Sequence, residues 1–150
     1  MKSNYIIVIL LCFLFLNSLY AQTNDNKELN KYFNLSLTQN QRQAIYNQIA
    51  LFSKKIRQDP DNASNYLNRG VCYANLGMYP DAINDYNKAL KYEPTMSQAY
   101  YNRGIARGRF RYTKNACIDI MKASQMGLLQ AQSLFDKKCG MYADELKKNK

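Results

Sequence analysis

The side chains that most enzymes use are sparse in this chain. It has no histidine, which removes the usual base for a Ser or Cys nucleophile and the commonest metal ligand. Cys-x-x-Cys spacing is missing, and no Gly-rich loop of the phosphate-cradling kind is present. Asp81 and Asp85 stand four residues apart, as a pair of glycosidase carboxylates might be imagined to do. At i and i+4 on a helix they read instead as solvent-facing charges. No enzyme is expected, and no cofactor or metal.

The remaining chemistry is cationic. The net charge is +10, and Arg103, Arg107, Arg109, Arg111 and Lys114 crowd one stretch with no acid before Asp119. Arg103, Arg107 and Arg111 are spaced at i and i+4, where like charges repel. A basic edge of Arg103, Arg107, Arg111 and Lys114 suits an acidic partner, anionic lipid headgroups or a polyanion; the plainer reading is a solvated face. Arg69 and Arg103 occupy the same place in a repeat, which equally suits a long arm lying over a helix junction. Thirteen tyrosines interleave with Lys and Arg, but most occupy packing positions, so no nucleic-acid partner is expected.

The elements that position these groups are set by repetition. The segment from Asp61 to Pro94 recurs 34 residues later, pairing Tyr66 with Tyr100, Asn68 with Asn102, Arg69 with Arg103, Gly70 with Gly104, Ala82 with Ala116 and Ala89 with Ala123. A period of this length means one helix hairpin per repeat, because a single pair cannot bury its apolar face and stacking supplies the partner. Tyr66, Gly70, Tyr73 and Gly77 form the stripe of one helix, and Ala82, Tyr86, Ala89 and Leu90 that of the next. Gly70 and Ala82 are small where two helices cross, and the tyrosines supply bulk beside them. Leu76 to Tyr79 gives the turn, Pro80 sits early in the second helix, and Pro94 ends the pair.

Tyr66, Gly70, Tyr73, Gly77, Tyr79, Ala82, Tyr86, Ala89 and Pro94 closely resemble the pattern of the tetratricopeptide repeat family. The second copy keeps Tyr100, Gly104, Ala116 and Ala123 and departs at Arg107, Arg111, Ile120 and Leu128. The resemblance implies an all-α fold, a short right-handed α-α superhelix of stacked hairpins with a C-terminal capping helix. It also implies that partners lie in the concave groove lined by the first helices. Carried over by position, that lining is Ser64, Leu67, Val71, Ala74 and Asn75, then Gln98, Tyr101, Ile105, Gly108 and Arg109. Leu67, Val71, Tyr101 and Ile105 form a patch suited to an amphipathic helix or extended peptide, with Asn75 and Arg109 to fix orientation. The alternative is that the chain's own Leu29 to Leu37 fills the groove. The carboxylate clamp of chaperone-binding members does not carry over: Asn68 matches, but Gln98 and Asn102 stand where bases belong, and Phe33 and Leu37 where the first Lys and Asn would be.

Thr38-x-x-Gln41 has the form of a capping box, and Ala44, Ile45, Ile49, Phe52 and Ile56 run at helical spacing, which predicts a helix over 39–58. Leu129, Ala131, Leu134 and Phe135 mark the capping helix. Lys2, the apolar run from Tyr5 to Leu16 and the small residues before Gln22 follow the order of a secretory signal cleaved near Ala21; an uncleaved anchor is the alternative. The organisation expected is 1–21 signal peptide, 22–38 lead segment, 39–60 degenerate repeat helix, 61–94 and 95–128 repeats, and 129–150 capping helix and basic tail.

Export permits disulfides. The segment from Ala116 to Cys139 resembles the closing segment of exported bacterial repeat proteins, and an antiparallel stack places Cys117 beside Cys139. These imply a Cys117 to Cys139 bridge, with two buried thiols as the alternative. Two functions remain. One is an exported module binding a peptide or helix of an envelope protein in its groove. The other is an envelope-surface protein docking on anionic lipid or polysaccharide through its Arg cluster.

Overall fold

Short polar side chains start two of the helices: Asn62 Oδ1 accepts from the Asn65 amide at 3.3 Å and Thr113 Oγ1 from the Ala116 amide at 3.4 Å, each satisfying a donor that has no partner within its own helix. The computed structural model describes residues 37–109 and 111–148. The expected signal peptide, and the lead segment up to residue 36, lie outside the described residues. The helices are α1 Gln39–Gln58, α2 Ala63–Asn75, α3 Tyr79–Tyr92, α4 Ser97–Arg107, α5 Lys114–Gln125, α6 Leu129–Lys138 and α7 Ala143–Lys148, with a 3-10 turn at Gly140–Tyr142 between the last two. No strand occurs among the described residues.

Each helix packs on its neighbours in the chain, α1 on α2, α2 on α3, α3 on α4, α4 on α5 and α5 on α6, and α2 also meets α4. The result is an all-α superhelix of stacked hairpins, α2/α3 and α4/α5, with α2 and α4 in one layer. The small residues of the sequence repeat lie where this packing needs them. Ala82, Ala89, Ala116 and Ala123 are fully buried. A Cβ on Gly70 would stand 2.7 Å from a Tyr86 ring carbon, and one on Gly104 2.6 Å from Ile120 Cδ1. Ile120 thus takes in the second hairpin the seat that Tyr86 takes in the first. Gly104→Ala should therefore cost about 1–3 kcal/mol by overpacking. Combining it with Ile120→Val, which removes the obstructing methyl, should restore part of the loss in a urea melt.

The two hairpins turn differently. In the first, Gly77 adopts φ +77°, its amide bonds to Ala74 O at 3.0 Å and the Met78 amide to Tyr73 O at 2.9 Å, the Schellman pattern in which glycine avoids a Cβ clash. The second repeat has Arg111 at the matching position. Its α4 instead stops at Arg107, and Tyr112 folds over Gly108, where a Cβ would come within 2.8 Å of the ring. A second Schellman turn, at Gly127 with φ +86°, closes α5.

The C-terminal end departs from the sequence reading in two ways. Leu129, expected on the packed face of the capping helix, is 83% exposed, while Ala131 and Phe135 carry the packing. The expected basic tail folds back as the 3-10 turn and α7, burying Leu146 beside Phe135 and Cys139. Cys117 and Cys139 are disulfide-bonded within this cluster. Cys72 is free and buried, and its thiol reaches Gln48 Oε1 at 3.4 Å; burial pushes that thiol up from its ordinary pKa.

Candidate functional site

Two arginine clamps hold the repeats together and decide which charges remain for partners. Arg69 donates from Nε and Nη2 to both oxygens of Asp85, each at 2.8 Å, and from Nη1 to Ser53 Oγ at 3.1 Å. Arg103 makes the same fork to Asp119, at 2.9 and 2.7 Å, and donates to Asn87 Oδ1 at 2.7 Å. Ser53, Arg69 and Asp85 recur as Asn87, Arg103 and Asp119, each 34 residues on. Each arginine thus ties its own helix to the helix before it and the helix after it. The planar fork suits a carboxylate bidentately. Its bond to Asp85 raises the Arg69 pKa beyond the ordinary arginine value.

Asp85 and Asp119 are almost fully buried, which corrects the reading of Asp85 as solvent-facing; Asp81 is exposed. The basic edge is corrected with it. Arg107 Nη1 also donates to Asp119 Oδ2, at 2.7 Å, so Arg103 and Arg107 converge on one buried carboxylate that needs compensation. Lys114 pairs with Glu145 on α7. Of the four cations assigned to that edge, Arg103, Arg107 and Lys114 have acidic partners, and Arg111 stands exposed.

With those charges engaged, the groove between α2 and α4 is uncharged. Its volume is about 450 Å3, and its walls are Leu67, Val71, Ala74, Ile105 and Ala106 together with the amides Asn68, Asn75, Gln98 and Asn102 and the rings of Tyr79 and Tyr86. Leu67, Val71, Asn75 and Ile105 lie where the family pattern places them. Tyr101 does not line this groove: it is half-buried against the C-terminal cluster with Tyr112 and Ile118. Gly108 is buried, covered by Tyr112. Arg109 stands at the rim, donating to the Tyr79 hydroxyl at 2.7 Å.

The amides are the groups that sequence reasoning undervalued. Gln98 Nε2 donates to Asn102 Oδ1 at 2.9 Å, which leaves the Asn102 NH2 and the Gln98 carbonyl to face outward. An amide carries both a donor and an acceptor and so matches a peptide bond. The recurrence of Asn68 as Asn102 was the available signal.

A second cleft, of about 340 Å3, opens between α5, α6 and α7 beside Met121, Phe135 and Ala143. On its rim Ser124 donates to Gln132 Oε1 at 2.5 Å, and Gln132 Nε2 to both oxygens of Asp136 at 2.9 and 3.1 Å. These polar groups satisfy one another. Among the described residues no group of three or more potential metal ligands occurs, and no helix is long and apolar enough to cross a membrane.

This architecture defines a helical-repeat scaffold of the tetratricopeptide type. Residues 63–96 match the family model of the tetratricopeptide repeat. Among solved structures, the chain is similar to the first tetratricopeptide domain of Spaghetti (RPAP3) bound to the HSP90 peptide SRMEEVD, with a TM-score of 0.62 and 24% identity over 78% of this chain and 89% of that one. No curated protein matches the sequence. The likeness establishes the fold, and the chain carries a tetratricopeptide repeat within it.

Proposed function

We propose that this chain is a non-catalytic, exported interaction module that holds an extended polypeptide segment of an envelope protein in the groove between α2 and α4. The observation that carries the reading is the lining itself, aliphatic walls with outward amides and no charge. Leu67, Val71 and Ile105 take an apolar side chain of the segment, while Asn68, Asn75 and Asn102 bond its backbone. The volume lies within the range of ordinary binding clefts, about 300–1,000 Å3. The Cys117 to Cys139 bridge supports an oxidising compartment.

The solved neighbour was captured with the acidic peptide SRMEEVD. The groove here offers that peptide no cation along its walls, because Arg69, Arg103 and Arg107 are held by Asp85 and Asp119. Such a peptide should therefore show no saturable binding below about 1 mM, the weak end of specific recognition. Peptides enriched from a display library should instead carry an apolar residue and little charge. The Asn68→Ala/Asn102→Ala variant should bind them about tenfold more weakly, equivalent to ~1.4 kcal/mol, with unchanged melting. Tight binding of the acidic peptide, or enriched peptides indifferent to the double variant, would sink the reading.

A further inference from the structure

The stacked helices α1, α3 and α5 carry a second surface, independent of the groove. Lys54, Lys88 and Lys122 are separated by 34 residues each, the period of the repeat, and all three are exposed. Their orientation is fixed by their neighbours in the chain. Ser53 and Asn87, one residue before Lys54 and Lys88, reach the arginines of the following helix, so the lysines occupy equivalent places on successive helices of the superhelix. Arg57 and Lys91 lie three residues beyond the first two and are exposed as well, on the same side of their helices.

Little opposes this row. Helix α1 contains no acid. The acids of α3 and α5 beside it, Asp85 and Asp119, are buried and already neutralised by arginine. The exposed acids Asp81 and Glu93 sit in the first turn of α3 and just past its end. A file of like charges without counter-charges raises the local potential and attracts a polyanion.

We propose that the row Lys54, Lys88 and Lys122, flanked by Arg57 and Lys91, docks a linear anionic polysaccharide. A single file that steps from helix to helix complements a linear chain of regularly placed charges, whereas laterally mobile lipid headgroups would gain nothing from such order. Nucleic acid fits less well because the rings beside the row are engaged. Tyr92 stacks on Tyr66 with centroids 5.6 Å apart, and Tyr100 lies under both Arg103 and Lys122, at 5.3 and 5.2 Å. None is left to stack on a base.

The test compares two variants of equal net charge, K54Q/K88Q/K122Q and K137Q/K138Q/K148Q, for binding to heparin and to polygalacturonate at low salt. Anionic vesicles and a single-stranded oligonucleotide serve as competing probes, and melting curves show that both variants fold. The row variant should bind the polysaccharides about tenfold more weakly or worse, while the control variant keeps wild-type affinity. Equal losses in both variants would reduce the effect to net charge and overturn the proposal. So would absence of polysaccharide binding by the wild type, or a preference of the row for vesicles or the oligonucleotide.

Discussion

Asp119→Ala should destabilise the domain by about 3 kcal/mol or more, because it leaves two arginines without the buried carboxylate on which they converge. For a domain of this size that is a fall of roughly 10–15 °C in melting temperature. The loss exceeds that of an ordinary surface pair, worth about 0–1 kcal/mol, since the Asp119 side chain is only 2% exposed and that of Arg103 15%. Arg107, at 30%, is free to turn toward water and softens the effect. Asp81→Ala, on an exposed carboxylate of similar sequence context, should stay within about 0.5 kcal/mol. Replacing the forked pair by an apolar one, Arg103→Met with Asp119→Leu, should recover most of the loss, because it removes the uncompensated charge along with its partner. If Asp119→Ala melted like Asp81→Ala, the clamp would contribute nothing to the stack.

Removing the disulfide should have a comparable effect by another route. Cys117 and Cys139 close 22 residues, and constraining an unfolded loop of that length contributes about 3 kcal/mol. Both residues are wholly buried in the C-terminal cluster with Phe135 and Leu146, so the bond also holds α6 and the following turn against α5. Alanine is the suitable replacement at both positions, because serine would add a buried hydroxyl without a partner. The double variant, or the reduced protein, should lose about 1–3 M in its urea midpoint, given a slope of ~1–3 kcal/mol/M. An unchanged midpoint under reducing conditions would show that packing alone retains the cap.

The repeat was legible because its signals are local. Gly70 and Gly104, the alanines of the second helices, the turn at Gly77 and the period itself all act within one hairpin or between neighbours. Helix α1 was legible for the same reason, from the spacing of Ile45, Ile49, Phe52 and Ile56. The charges were misread because their partners lie 12 to 16 residues away on another helix. A view along one helix assigns Asp85 and Arg107 to solvent, since charged residues are rarely buried unless paired. The joint recurrence of Arg69 with Asp85 and of Arg103 with Asp119 carried the missing information.

The groove was read in part. Leu67, Val71, Asn75 and Ile105 follow from their helix positions. Tyr101 was lost because α4 ends early at Arg107 and Tyr112 draws the neighbouring rings toward the C-terminal core. Leu129 stands at the very start of α6, ahead of the turn that packs, and the tail beyond Cys139 is too short to show a periodicity of its own.

The most direct test of the groove assignment places a photo-crosslinking amino acid at Asn75, exposed on its wall, with Lys88 on the lysine row as the comparison site, in the full chain in its native cells. A groove that holds a partner segment yields one discrete polypeptide adduct from position 75 and not from position 88, mapping to a single uncharged stretch of another protein. An adduct from position 75 only to the chain's own Leu29 to Leu37, or no adduct there at all, would contradict it.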